Sequence, residues 1–137
     1  MDKKRLILKH NVQQVTQLTS FVSEVCEAVG LDMATTMKIN LAIEEAVVNV
    51  MNYAYPVGNV GDVNIEAKAD NNQLEFIISD SGRPFNPTTQ QEADTALNAE
   101  ERPIGGLGIH LVRNIMDSIN YERVNGNNIL KLIKKLK

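Results

Sequence analysis

The sequence contains one cysteine, Cys26, so an internal disulfide is excluded. Cys26 lies in an apolar helical pattern, which predicts a buried small side chain rather than a reactive thiol. Histidine is also scarce, and neither His10 nor His110 stands at zinc-ligand spacing from Cys26. The sequence therefore gives no support to a disulfide-stapled or zinc-binding protein.

Long apolar runs and an excess of basic charge are missing as well. The basic residues at the N-terminus precede an apolar run of only Leu6–Leu8, which is too short for a signal peptide or a membrane span. We therefore expect no membrane association and a cytoplasmic location. A formal net charge of −3 argues against direct binding to nucleic acid. The lysine-rich end, residues 131–137, alternates with apolar residues and predicts a last strand with outward lysines that protect a sheet edge.

The composition predicts one globular domain over residues 1–137, with 43% hydrophobic and 23% charged residues. The predicted fold is α/β, an α+β two-layer sandwich in which a mixed sheet is covered by helices on one face. Periodicity and turn residues predict eight elements. The first three are strand 5–9, helix 11–28 stopped by Gly30, and a helix capped by Asp32 and ending before Pro56. Strands 63–69 and 74–79 are predicted to form a hairpin around residues 70–72, and a helix with Leu107, Leu111 and Ile115 on its apolar stripe follows. Strands 119–124 and 129–136 are predicted to form a second hairpin over the turn Asn125-Gly126-Asn127.

Glu45 and Asn49 are four residues apart in the second predicted helix, so they share one face of it. The surrounding residues are mostly apolar, and polar groups in such a setting need partners. Glu44 adjoins Glu45, and only helix phase distinguishes them. A solvated edge would explain the pair, and a bound metal–nucleotide complex would explain it too.

Two glycine-containing boxes follow. Asp80-Ser81-Gly82 comes directly after an apolar strand, and residues 105–108 (Gly-Gly-Leu-Gly) open an amphipathic helix. Glycines at a helix N-terminus let the backbone N–H groups approach a phosphate. The polar stretch between the boxes, Thr88–Arg102, is long for a loop in a small domain, which favours a functional lid.

The ordered triple E-x-x-x-N, D-x-G and G-x-G resembles the Bergerat-type ATPases, and more closely the bacterial anti-sigma factor serine/threonine kinases. The likeness runs over nearly the whole chain, including residues 80–85 and 105–112. Histidine kinases usually have asparagine where Glu45 stands, so the glutamate favours the serine-kinase branch.

The resemblance implies a role for each matching residue. Glu45 would be the catalytic base, and Asn49 would bind Mg²⁺ together with ATP. For the nucleotide, Asp80 would accept from the adenine amine and Gly82 would leave room for the ring. Gly106 and Gly108 would contact the phosphates. Asn52 and Pro84 depart from the family pattern, and the candidates for a missing basic phosphate contact are Arg83, Arg102 and Arg113.

Three functions are compatible with this resemblance. The first is a homodimeric anti-sigma factor that binds a sigma factor and phosphorylates a serine or threonine of a STAS-type anti-anti-sigma protein, with residues 5–28 as the dimer surface. The second is an ATP-dependent partner-switching module without phosphoryl transfer. The third is a stand-alone histidine-kinase catalytic domain.

Overall fold

A computed structural model describes residues 4–8, 15–53, 62–70, 72–87 and 108–136. It contains five strands and three helices in these ranges: β1 Lys4–Leu8, α1 Val15–Ala28, α2 Met33–Tyr53, β2 Val63–Ala69, β3 Gln73–Asp80, α3 Gly108–Ile115, β4 Ser118–Val124 and β5 Asn127–Lys135. The predicted order of elements is confirmed, with boundaries that shift by one or two residues at most strand ends. The predicted lid, Thr88–Arg102, lies outside the described residues.

The junction between α1 and α2 forms where the sequence predicted it. Gly30 has a φ of 78°, its N–H donates to the Glu27 carbonyl, and the Leu31 N–H donates to the Cys26 carbonyl. This pairing is the Schellman ending of a helix, which favours glycine because other residues are strained at positive φ. Asp32 then caps α2, since its carboxylate accepts the Thr35 N–H at 2.7 Å.

Both predicted hairpins are present. The β2–β3 turn is held by Asp70, whose Oδ1 accepts the backbone N–H groups of Asn72 and Gln73 at 2.7 and 2.9 Å. The β4–β5 turn has positive φ at both central residues, 50° at Asn125 and 81° at Gly126. Two consecutive positive φ values are typical of the type I′ turn, for which Asn-Gly is the preferred pair.

The strands form one sheet in the order β1-β2-β3-β5-β4. The two-layer α+β architecture is confirmed, but the expected mixture of strand directions is not found, since all four pairings are antiparallel. The physical reason lies in the last hairpin. β3 and β4, which precede and follow α3 in the sequence, run in the same direction. Because β5 lies between them in the sheet, no two parallel strands are neighbours.

The helices cover one face of this sheet. Apolar residues of α1, α2 and α3 share a buried cluster with the inward-facing residues of β2, β3 and β5. Cys26 is part of that cluster, and burial raises the pKa of its thiol to about 11, as expected for an unreactive cysteine. None of the helices in the described ranges is long and apolar enough to cross a bilayer.

The prediction for the C-terminal lysines is confirmed for the exposure of two of them and wrong for their position at a sheet edge. Lys131 and Lys135 are exposed, as predicted, but β5 is an interior strand and they protect no edge. Lys134 points the other way, and its Nζ donates to the Ile115 carbonyl at 2.9 Å. A cation at that position stabilises the C-terminal end of α3.

Candidate active site

Asp80 ends the inward-facing row of β3, where the apolar residues Leu74, Phe76 and Ile78 precede it. Its side chain is buried, with 3% of its surface exposed. One carboxylate oxygen, Oδ1, accepts the Gly82 N–H at 2.8 Å and the Asn128 side-chain amide at 2.9 Å. Neither bond involves Oδ2, so that oxygen can accept a donor from a ligand.

Asn128 organises the loop that follows Asp80. It is the register partner of Asp80 on β5 and is 4% exposed. Its Nδ2 donates to Asp80 and also to the Arg83 carbonyl at 2.8 Å, while its Oδ1 accepts the Phe85 N–H at 3.2 Å and the Tyr121 hydroxyl. One amide thus fixes the carboxylate and both halves of the loop.

Arg123 holds the same loop from the edge strand β4. Its guanidinium donates to the Gly82 carbonyl at 2.8 Å. Together with the Gly82 N–H bond to Asp80, this contact fixes the peptide groups on both sides of Gly82. A fixed glycine beside a buried carboxylate is suited to receive a flat ring that carries an amine.

Burial raises the pKa of Asp80, although the Asn128 amide, the Gly82 N–H and the charge of Arg123 act in the opposite direction. A carboxyl group removed from water is a strong acceptor when ionised, because little solvent competes for its lone pairs. This is a favourable setting for recognition of an amine by a charged acceptor.

Glu45 and Asn49 both lie in the C-terminal half of α2, the helix that packs against α3. Asn49 is 3% exposed. Its side-chain carbonyl oxygen is the type of ligand that a hard cation such as Mg²⁺ prefers, and Mg²⁺ is usually held by few protein ligands together with waters. Glu44 and Glu45 are both half-buried, so burial does not distinguish the two candidates for the base.

The structure describes two of the three glycines that the sequence predicted for the site. Gly82 lies in the loop after β3, and Gly108 is the first residue of α3, where unpaired N–H groups and the helix dipole favour a phosphate. Gly106 lies outside the described residues, as does Arg102. Arg83 is exposed in the loop, and Arg113 lies in the last turn of α3, at the end opposite Gly108.

The sequence analysis missed Asn128, Tyr121 and Arg123. A signal for Asn128 was present, because it falls on the inward-facing row of β5 with Leu130 and Leu132, where a polar residue needs a partner. The identity of that partner could not be predicted, because it depends on which strand lies beside β5 in the sheet. Arg123 had no such signal, since it reads as an ordinary exposed charge.

Comparison with known proteins bears on this arrangement. The sequence model of the histidine kinase-like ATPase domain family matches residues 8–134, which is nearly the whole chain. The chain belongs to that family. All the expected site residues, including those outside the described ranges, lie within the matched segment.

Among curated proteins, this ATPase domain is similar to anti-sigma factor kinases. It is 26% identical to the serine-protein kinase RsbW of Listeria monocytogenes over 122 residues, which cover 86% of this chain and 78% of the relative. It is 26% identical to the serine/threonine-protein kinase BtrW of Bordetella bronchiseptica, covering 69% of this chain and 66% of that protein. A Staphylococcus aureus RsbW is 32% identical, with coverage of 69% and 64%.

A solved structure supports the fold. The chain resembles a crystal structure of the RsbU and RsbW domains of a Mycobacterium tuberculosis protein, with a TM-score of 0.68 over 98% of this chain. The sequences are 13% identical, and the match covers 32% of that longer chain. The Bergerat-type fold expected from the sequence is therefore confirmed, as is the resemblance to the anti-sigma factor kinase family.

Proposed function

We propose that this ATPase domain is an anti-sigma factor that transfers phosphate from ATP to a serine or threonine of a STAS-type anti-anti-sigma protein, in the cytoplasm. The observation that carries the proposal is the buried Asp80, which Gly82 and Asn128 fix through Oδ1, so that neither bond uses Oδ2, the oxygen that would accept a ligand amine. The kinase names of the relatives supply the reaction class.

In this proposal the nucleotide lies between the Asp80 loop and the start of α3. Asp80 would accept from the adenine amine, Gly82 would leave space for the ring, and the N–H groups of Gly106 and Gly108 would contact the phosphates. Asn49 would hold Mg²⁺, which would supply charge neutralisation for the transfer.

Glu45 is the proposed base. It is half-buried on the helix that also carries Asn49, one turn earlier. From there it accepts the proton of an incoming hydroxyl, or orients that hydroxyl for attack. The net charge of −3 suits a protein that binds other proteins rather than nucleic acid.

We also propose a homodimer formed through residues 5–28. The support is that β1 is an edge strand whose Ile7 is 49% exposed, and exposed edges tend to pair. Light scattering at high concentration should give twice the 15.2 kDa mass of one chain. A constant monomer mass would contradict this assembly.

The test of the kinase function uses labelled ATP, Mg²⁺ and candidate STAS proteins from the same genome. Acid-stable label on the STAS protein is the expected result. Acid-labile label would indicate a histidine kinase instead, and binding without label would indicate a partner switch that transfers no phosphate. Added sigma factor should compete with the unphosphorylated STAS protein for this chain.

A further inference from the structure

The first half of α2 carries an apolar row on its solvent side. Met33, Met37 and Leu41 follow one another at intervals of four residues, and they are 80%, 66% and 45% exposed. They are three of the four large hydrophobic side chains that are exposed in the described ranges, the other being Ile7 on β1. We call these three residues the α2 ridge.

The α2 ridge continues into the candidate active site. The next two positions at the same interval are Glu45, which is half-buried, and Asn49, which is 3% exposed. Because four residues exceed one turn of 3.6, each step turns the row by about 40°, so Met33 lies about 120° around the helix from Glu45. This row therefore leads from open solvent to the buried magnesium ligand, passing the proposed base on the way.

We propose that the α2 ridge is the docking surface for the protein substrate, which places apolar side chains on Met33, Met37 and Leu41 while its hydroxyl reaches Glu45. This inference rests on the proposed function. Leu41 lies one turn from Glu45 and only about 40° around the helix, so a substrate hydroxyl that reaches Glu45 passes close to the exposed end of this row. Two of the three ridge residues are methionines, whose flexible side chains suit contact with another protein.

The geometry sets where the apolar contacts on the substrate lie. At a rise of about 1.5 Å per residue, Leu41 is about 6 Å and Met33 about 18 Å along the helix from Glu45. An extended segment rises about 3.3 Å per residue. Because the row also turns by about 120° between Glu45 and Met33, a segment that runs straight along α2 would place an apolar residue about two positions from the acceptor hydroxyl on Leu41. Another part of the substrate surface would contact Met37 and Met33.

The test compares the double variant Met33→Gln/Met37→Gln with the control Lys38→Gln. Lys38 is exposed on the same helix but does not belong to the row, so its replacement removes no ridge contact. Lysine, glutamine and methionine have similar helix propensities, so both variants should fold. The probe is the STAS protein used above, titrated calorimetrically in the presence of Mg²⁺ and a non-hydrolysable ATP analogue, so that binding is measured without phosphoryl transfer.

The double variant should raise the dissociation constant for the STAS protein at least about tenfold, as expected when two apolar contacts are lost. The control should stay within about twofold, and the affinity for the ATP analogue should not change in either variant. Where phosphate is transferred, the double variant should raise KM and leave kcat nearly unchanged.

The outcomes separate this inference from the kinase function. Ridge-dependent binding without phosphoryl transfer would support the docking surface and reject the kinase. Transfer with equal affinity in the parent, the double variant and the control would do the reverse. If the parent did not bind the STAS protein, the docking surface would be overturned. It would also be overturned if the double variant alone lost a dimer, because a second copy of this chain would then occupy the α2 ridge.

Discussion

Replacing Asn128 by alanine tests how the candidate nucleotide site is held together. The change removes four hydrogen bonds, which join the Asn128 amide to Asp80, the Arg83 carbonyl, the Phe85 N–H and the Tyr121 hydroxyl. It leaves a buried carboxylate with one partner fewer. The loop after β3 also loses its attachment to β5.

The expected cost follows from these bonds. A neutral hydrogen bond contributes about 0.5–1.5 kcal/mol to stability, and one to a charged group about 1.5–3 kcal/mol. Bonds that share one amide are not additive. We therefore expect Asn128→Ala to lower the free energy of unfolding by about 3–5 kcal/mol at pH 7.

The cost should depend on pH. Burial raises the pKa of Asp80 above that of an unfolded aspartate, so the folded state binds the proton more tightly. The contribution of this carboxyl group to stability therefore falls as the pH rises through its folded pKa. The Asn128 bond opposes that rise, so Asn128→Ala should raise the pKa of Asp80 further. The difference in unfolding free energy should then shrink as the pH is lowered through the pKa of Asp80.

Urea unfolding at several pH values measures both effects, and Asn120→Ala is the matched control. Asn120 lies on the adjacent strand, is exposed, and donates to the Ser118 hydroxyl at 3.0 Å. Its removal should change stability by less than about 0.5 kcal/mol at every pH. Equal losses for the two variants, or a loss at Asn128 that does not vary with pH, would refute the reasoning.

Three further predictions concern ligand and reaction. Asp80→Asn should weaken adenine nucleotide binding by about 1.5–3 kcal/mol, because the amine loses a charged acceptor, and unchanged affinity in isothermal titration would reject that assignment. Glu45→Ala should keep ATP affinity and slow phosphoryl transfer about 10²–10⁴-fold in a labelled-ATP assay, whereas Glu44→Ala should not; the opposite pattern would make Glu44 the base. Hydrogen exchange across residues 88–108 should slow on adding Mg-ATP, and more than on adding ADP, because phosphates at Gly108 would tether the end of the predicted lid. Equal exchange in the apo and ATP-bound forms would show that this segment is not a nucleotide-dependent lid.

Local chemistry made much of this protein predictable from its sequence. The cap at Asp32, the helix ending at Gly30 and the turn at Asn125-Gly126 each depend on a few neighbouring residues, and all three occur as expected. The alternation in residues 63–69 predicted β2 with the correct ends. The ordered polar motifs led to the correct family, because their spacing reflects contacts within one fold.

The order of the strands was decided by tertiary structure. The last hairpin could have paired with β3 through either of its strands, and periodicity does not separate the two. β5 occupies the interior place because Leu130 and Leu132 bury their side chains under the helices, whereas β4 has no fully buried residue. That choice made all four pairings of the described strands antiparallel and left the lysines of β5 away from an edge.

The same choice completed the candidate site. The sequence alone predicted Asp80 and Gly82 as site residues, since they follow a strand in a recognisable motif. It could not show that Asn128, which is 48 positions away, bonds to Asp80, because this contact exists only when β5 is the neighbour of β3. The chain thus encodes its motifs locally, but the surroundings that fix and desolvate the Asp80 carboxylate arise from packing between distant segments.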